Sequence, residues 1–150
     1  LNTGAVENTE NFCFYDQGLT PSVLKVIEAL GNERDAISHK LGYTVRSSVG
    51  FMQQLADKEQ FPQFSGFRSL EGPLTMQDRY IFEDAQNGAA FLHSLAETIG
   101  LSAPLARAFV TIASAINGTD FYASGRTMDK LGMAGMTAEQ INRYLQEGTL

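Results

Sequence analysis

An apolar stripe between Pro21 and Leu41 constrains the fold of this chain more than any other feature of its sequence. Apolar residues recur there at intervals of three and four, which places them on one face of an α-helix. Thr20 can accept a hydrogen bond from the first turn, and Pro21 at the first helical position loses none. Gly42 is a natural stop. The pattern predicts a long amphipathic helix over residues 21–41, with a stripe of Val23, Val26, Ile27, Leu30, Ile37 and Leu41.

The same spacing recurs in shorter segments farther along the chain. Ser47 or Ser48 can cap a helix that runs through Ala56, and a later helix is expected to stop at Gly100. Residues 1–19 are expected to be irregular or partly extended. Three further helix boundaries are predicted: a start capped by Ser102, an end at Asn117-Gly118, and a start at Thr137, where Thr-Ala-Glu-Gln fits a capping box.

No segment alternates between apolar and polar residues in the way that a half-buried strand does. A chain of 150 residues suffices for one domain with a sizeable core. We therefore predict an all-α domain over residues 1–150, a single-core bundle of about six or seven helices.

Charge and composition exclude several kinds of partner. The formal net charge is −6 and lysine and arginine form no cluster, which argues against nucleic acid and against an anionic membrane surface. No apolar run approaches the roughly 20 residues of a membrane span. The first ten residues lack the basic and apolar regions of a signal peptide, and Cys13 has no partner for a disulfide. We therefore expect a cytoplasmic location.

The sequence carries no signature of a metal or cofactor site. Its two histidines, His39 and His93, lie far apart and do not follow a metal-ligand spacing. The glycines form neither G-x-G-x-x-G after a strand nor a phosphate loop before Lys-Ser/Thr. We expect this chain itself to bind no metal and no cofactor.

The densest group of ionisable and aromatic side chains lies in residues 74–88, LTMQDRYIFEDAQNG. Arg79 and Glu83 are four residues apart and can pair across one helical turn. Arg79 and Asp84 are five apart, about 140° around an α-helix, so they share no face. They can converge only if the helix ends near Asp84, and Asn87-Gly88 tolerates the turn that would end it. The structural alternative is that Asp84 caps the next helix while Arg79 and Glu83 pair at the surface.

A second polar cluster joins Asp120-Phe121-Tyr122 to Gly125-Arg126-Thr127. Tyr122 and Arg126 could face a small anionic ligand there. The alternative is that Arg126 binds the free carbonyl groups at a helix C-terminus.

Five segments occur along the chain in a characteristic order. They are LNTGAVE, FYDQGLTPSV with the following ERDAISHKLG, DRYIFEDAQNG, GLSAPLARAFVTIAS, and DFYASGRTMDKLGM. Together they resemble the α-helical C-terminal domain of the NAD/NADP octopine/nopaline (opine) dehydrogenase family. The resemblance implies a substrate-binding and dimerisation domain, in a parent protein whose N-terminal Rossmann domain binds NAD or NADP. Such enzymes reductively condense an amino acid with an α-keto acid, or run the reverse oxidation.

The resemblance also assigns roles to individual residues. Arg79 and Asp84 match the substrate-site Arg and Asp of the family, which work with a His just upstream of the LNTG segment; neither histidine of this chain matches it. Where the family usually has a Pro two residues after the Asp, this chain has Gln86. A guanidinium binds a substrate carboxylate through two parallel hydrogen bonds. Asp84 would orient the catalytic His or pair with the amino nitrogen of the substrate.

Three further expectations complete the prediction. Tyr80 and Arg126 are expected to join Arg79 and Asp84 in binding substrate. The chain alone is expected to be inactive, since the cofactor and the catalytic His would belong to the missing part. A homodimer is expected because aromatic and Met side chains exceed what one core of short helices needs, namely Phe51, Met52, Phe61, Phe64 and Phe67. The alternatives are a non-enzymatic helical interaction module and the helical domain of another 2-hydroxy-acid or sugar-acid dehydrogenase.

Overall fold

A computed structural model describes residues 1–47 and 49–148 of the chain. Across these two ranges the chain forms nine α-helices and no strand, so the predicted all-α class is confirmed. The helices are α1 (Thr3–Asn8), α2 (Pro21–Lys40), α3 (Val49–Ala56), α4 (Ser65–Arg68), α5 (Arg79–Phe82), α6 (Ala90–Thr98), α7 (Pro104–Asn117), α8 (Phe121–Ser124) and α9 (Ala138–Glu147). π-helical turns cover Phe14–Gly18 and Glu83–Ala89, and a 3₁₀ turn covers Pro62–Phe64. The number of helices exceeds the predicted six or seven because the chain includes helices as short as four residues.

The long helix α2 begins and ends as its sequence predicts. The Val23 amide donates to Thr20 Oγ1 at 3.4 Å, and Pro21 is the first helical residue. The helix ends at Lys40, after which Gly42 adopts a left-handed φ of 85°. α9 docks at this end of α2, because Asn142 Nδ2 donates to the Leu41 carbonyl at 3.0 Å.

Other helix boundaries also follow local signals. Ser47 Oγ accepts from the Val49 amide at 3.2 Å; the alternative cap, Ser48, lies outside the described residues. α9 begins with the predicted capping box, in which Gln140 N donates to Thr137 Oγ1 at 3.2 Å and Thr137 N donates to Gln140 Oε1 at 2.8 Å. α7 ends at Asn117, and Gly118 follows it with a left-handed φ of 59°.

The predicted Ser102 cap is wrong. α7 begins at Pro104, and a carboxylate from α2 satisfies its first amides. Glu33 accepts from Leu105 N at 2.7 Å and from Ala106 N at 3.0 Å. An anion is favoured at this position because the positive end of the helix dipole lies there. Glu33 therefore fixes the start of α7 against the middle of α2.

The prediction that residues 1–19 are irregular or partly extended is wrong for most of that segment. α1 and the π-helical turn Phe14–Gly18 occupy this segment. Its apolar residues pack into a buried cluster, in which Val6 and Phe12 lie together with Met76. Removal of this apolar surface from water stabilises helical turns that have weak local signals.

The buried apolar residues form three clusters. The largest joins α2, α6 and α9, with Ile37, Leu95, Ala96 and Ile141 among its members. The second contains Ala85, Ala90, Val110, Ala113 and Phe121. Ile81 packs against both the second cluster and the cluster of Val6, Phe12 and Met76. The segment that carries Arg79 and Asp84 is thus held between two parts of the core.

Among the described residues, no helix combines the length and the apolar character that crossing a membrane requires.

Candidate functional site

The main candidate residues lie on one continuous helix. α5, the π-helical turn Glu83–Ala89 and α6 follow one another without a break from Arg79 to Thr98, and we call this element the site helix. The condition under which Arg79 and Asp84 could converge, a helix end near Asp84, is not met, since Asn87 and Gly88 lie within the π-helical turn Glu83–Ala89. The alternative that Asp84 caps a following helix is wrong for the same reason. Asp78 caps the site helix instead, with its Oδ1 accepting from Tyr80 N at 3.1 Å.

The π-helical turn exists because one of its carbonyl groups bonds outside the helix. Ala90 N donates to the Ala85 carbonyl, five residues back, rather than to Gln86 four residues back. The Gln86 carbonyl then accepts from Arg126 N at 3.0 Å. A π-helical turn inserts one residue into a helix and is frequent at functional sites.

The side chain of Gln86 strengthens this connection. Its Nε2 donates to the Ser124 carbonyl at 2.9 Å. Gly125 allows the close approach, because a Cβ there would lie 2.6 Å from the Gln86 carbonyl oxygen and 2.2 Å from that of Phe121. Gln86, which departs from the Pro of the family pattern, therefore ties the site helix to the loop after α8.

Asp84 lies on the shared wall of two cavities. The larger cavity holds about 440 Å³ and the smaller about 260 Å³, and Tyr80, Ile81 and Asp84 line both. Partial burial of the carboxyl group, assisted by the nearby carboxylate of Glu83, raises the pKa of Asp84 above its ordinary value. Asp84 thus holds a proton to higher pH than a fully solvated carboxyl group does.

Arg79 lies beside the cavities rather than on their walls. Its side chain is 69% exposed and its Nη1 is 3.3 Å from Glu83 Oε1, as expected for a pair four residues apart. The guanidinium carbon lies 4.8 Å from the centre of the Tyr80 ring. Interaction with the Tyr80 side chain and then the charge of Glu83 raise the pKa of Arg79, so it stays cationic. Tyr80 therefore separates the Arg79 cation from the cavity that Asp84 faces.

Arg126 belongs to the loop that contacts the π-helical turn, and its side chain is exposed. The alternative role predicted for it, at a helix C-terminus, is filled by Lys130, whose Nζ donates to the Ala123 carbonyl in α8. Tyr122 turns inward, with its ring 5.4 Å from that of His93. The structure thus gathers Tyr80 and Asp84 at the cavities, and it leaves Arg79 and Arg126 at the surface, outside both walls.

Sequence reasoning missed part of the larger cavity. Its wall is completed by Phe14 and Tyr15, from the π-helical turn Phe14–Gly18, and by the loop Glu71-Gly72-Pro73. The Gly72 amide donates to the Phe12 carbonyl at 2.7 Å, which brings these two segments together. The aromatic pair Phe14-Tyr15 and the Gly-Pro loop can be recognised in the sequence. No pattern of neighbouring residues indicates that the two segments contact each other.

The larger cavity has an acidic and aromatic character. Among the described residues, the charged groups on its wall are Glu71 and Asp84, without a lysine, arginine or histidine. Phe14, Tyr15 and Tyr80 present aromatic rings. Carboxylates and ring faces both attract cations, so this wall suits a protonated amine.

The described residues lack the strand-turn-helix arrangement with which a Rossmann domain binds a dinucleotide. They contain no strand from which a glycine-rich turn could lead into a helix. Nor do residues 1–47 and 49–148 hold a group of three or more His, Cys, Asp or Glu side chains that could bind a metal ion.

The sequence is similar to one family model and to several known proteins. Residues 1–117 match the family model described as NAD/NADP octopine/nopaline dehydrogenase, alpha-helical domain. Opine dehydrogenase of Arthrobacter sp. (strain 1C) is 31% identical over 97% of this chain and 42% of the relative. Protein ocs of Agrobacterium vitis is 27% identical over 88% of the chain and 38% of the relative, and vitopine synthase of Allorhizobium ampelinum is 26% identical over 85% and 37%. The chain thus spans about two fifths of the length of the curated relatives it matches.

Proposed function

The chain belongs to the NAD/NADP octopine/nopaline dehydrogenase family, and from that premise we propose that it is the substrate-binding domain of an NAD(P)-dependent opine dehydrogenase. The whole enzyme would reductively condense the amine of an amino acid with an α-keto acid, or oxidise the CH–NH bond of the product. The observation that carries the proposal is the position of Asp84, on the wall of an acidic and aromatic cavity.

Asp84 would bind the amino nitrogen. A protonated amine in the larger cavity meets the carboxylates of Asp84 and Glu71 and the rings of Tyr80 and Tyr15. The raised pKa of Asp84 also suits proton exchange with that nitrogen, or with the catalytic His that the family places upstream of Leu1. Its role is to hold and orient the amine.

Arg79 would bind the substrate carboxylate at the cavity edge. Its partner Glu83 is exposed, and an exposed ion pair holds its side chains weakly. A substrate carboxylate can therefore take the place of Glu83 and gain the two-pronged contact that a guanidinium offers. Tyr80, beneath the guanidinium, would position it, and Arg126 would add positive charge nearby.

The cofactor, NAD or NADP, would be held outside this chain and would supply the hydride chemistry. Residues 1–150 alone should then neither bind NADH tightly nor turn over. Calorimetry checks this: micromolar binding of NADH to the isolated chain would mean that the cofactor site is misassigned.

Substitutions in the intact parent enzyme test the site itself. Removing a charge-assisted hydrogen bond costs about 1.5–3 kcal/mol, so we expect Arg79→Ala to lower kcat/KM about 10- to 150-fold. Asp84→Asn should impair turnover to a similar degree. NAD(P)H affinity and melting temperature should stay nearly unchanged, because neither residue belongs to the buried core. The matched control is Arg143→Ala, an exposed arginine on α9. Wild-type kcat/KM in both site variants would contradict the assignment.

We also propose a homodimer through an aromatic surface. Phe51 is 39% exposed, Phe67 37% and Leu70 50%. The two phenylalanine rings pack edge to face, with centres 5.6 Å apart, which gives a contiguous apolar patch. Patches of this kind mark interfaces. Light scattering that returned a 16.4 kDa monomer at high concentration would argue against the dimer.

A further inference from the structure

The smaller cavity differs from the larger one in chemistry. Its wall is apolar apart from Thr3 and the shared residues Tyr80 and Asp84. The apolar part comes from the site helix, from α7 and from neighbouring segments, and includes Met76, Ala89, Phe109, Ile112, Ala113 and Ile116. A charged group placed there would lose water and find no partner beyond Asp84.

The two cavities meet at a single turn of the site helix. Tyr80, Ile81 and Asp84 face both, so a nitrogen bound to Asp84 stands at the junction. Of the two substrates, only the amino acid carries a nitrogen before condensation. Its side chain is attached two bonds from that nitrogen, so it must enter a space that adjoins Asp84. The smaller cavity is such a space, and it is apolar.

We propose that the smaller cavity receives the side chain of a neutral, apolar amino acid, and that this enzyme therefore prefers aliphatic and aromatic amino acids to acidic or basic ones. The inference rests on the proposed function, because it places the substrate amine at Asp84. Each methylene transferred from water to this wall is worth about 0.8 kcal/mol, or roughly a fourfold gain in kcat/KM.

The shape of the cavity identifies residues that set this preference. Ala89, at the end of the π-helical turn Glu83–Ala89, and Phe109 both line the cavity, and Ala89 fills little of the space because its side chain is small. Ala89→Leu fills the space, so it should lower the ratio of kcat/KM for phenylalanine to that for alanine at least tenfold. Phe109→Ala enlarges the space and should raise the same ratio. Ala36→Leu, at an exposed position of α2, is the matched control and should leave the ratio unchanged.

The experiment uses the intact parent enzyme with NADH or NADPH and a fixed α-keto acid such as pyruvate. Alanine, valine, leucine and phenylalanine form the apolar series; glutamate, lysine and arginine form the charged one. We expect kcat/KM to rise along the apolar series and to be at least tenfold lower for the charged amino acids.

Two outcomes would overturn the inference. One is a charged amino acid as the best substrate, and the other is a Phe-to-Ala ratio that neither Ala89→Leu nor Phe109→Ala changes. In both cases the enzyme still condenses an amino acid with a keto acid, so the proposed function survives. Absence of turnover with every amino acid would instead refute the proposed function, and this inference with it.

Discussion

Gly125→Ala tests the contact between the site helix and the loop after α8. Gly125 has φ −77° and ψ 173°, a conformation that any residue can adopt, so the backbone does not require glycine there. The requirement is steric. An alanine Cβ would lie 2.2 Å from the Phe121 carbonyl oxygen, 2.6 Å from that of Gln86 and 3.1 Å from the Cβ of Ala90. Two of these neighbours are backbone atoms of helical segments, which cannot rotate away.

The expected loss of stability follows from the steric overlap and from the hydrogen bonds that the loop after α8 would lose. Overpacking of this kind costs about 1–3 kcal/mol. If the loop retreats instead, it loses the bonds from Arg126 N to the Gln86 carbonyl at 3.0 Å and from Gln86 Nε2 to the Ser124 carbonyl at 2.9 Å. Each is worth about 0.5–1.5 kcal/mol. We expect Gly125→Ala to lower the free energy of unfolding by about 1–3 kcal/mol by either route, a sizeable share of the stability of a typical domain.

Urea unfolding followed by far-UV circular dichroism measures this change. Gly50→Ala in α3 is the matched control, because none of the described atoms lies within 4 Å of the Cβ it would add, beyond its own helix and chain neighbours. In a helix this control should be neutral or stabilising by up to about 1 kcal/mol. A Gly125→Ala variant within about 0.5 kcal/mol of the parent would refute the view that close approach at this residue holds the π-helical turn.

Other substitutions test the remaining structural conclusions. Glu33→Ala should lower the free energy of unfolding by about 1–3 kcal/mol, since two amides at the start of α7 lose a charged acceptor, and an unchanged urea midpoint would exclude this cap. Thr137→Ala should cost about 1 kcal/mol, measured as a lower melting temperature, through loss of the capping box. Tyr122→Phe should raise stability by about 1 kcal/mol at neutral pH, because the buried Tyr122 hydroxyl has no hydrogen-bond partner among the described residues. Burial also raises the pKa of Tyr122 above 10.0, so the folded state holds this proton more tightly than the unfolded state and stability falls as pH rises beyond that value. The Phe variant should lack this alkaline loss, and an equal loss in both proteins would contradict the buried position of the hydroxyl.

The sequence alone determined the elements whose signals lie within a few residues of one another. α2 begins at Pro21 because Thr20 reaches an amide three residues away, and α9 begins with the Thr137 capping box for the same reason. Asp78 also caps the site helix, and Asp120 caps α8, through amides two or three residues ahead. Such bonds need no other part of the chain, so the sequence can predict them.

Only the tertiary structure decided the features that depend on distant partners. Glu33 caps α7 from 72 residues away, so the local Ser102 signal did not predict the cap. Asn87-Gly88, where a turn was expected, is part of a helix. Gln86 bonds to the backbone at Ser124 and Arg126, and Ala85 and Ala90 pack in the core. These interactions outweigh the weak local preference of Asn-Gly for a turn.

The candidate site shows the same division. The sequence, through its resemblance to a family, directed attention to Arg79 and Asp84, and it placed Arg79 beside Glu83 because that pair is four residues apart. It did not place Phe14, Tyr15 and Glu71 around Asp84, because their association depends on the bond from Gly72 to Phe12 and on burial of the first helix. Residue types and local spacing therefore determined which chemistry is present, and nonlocal backbone bonds and packing decided which groups share a cavity.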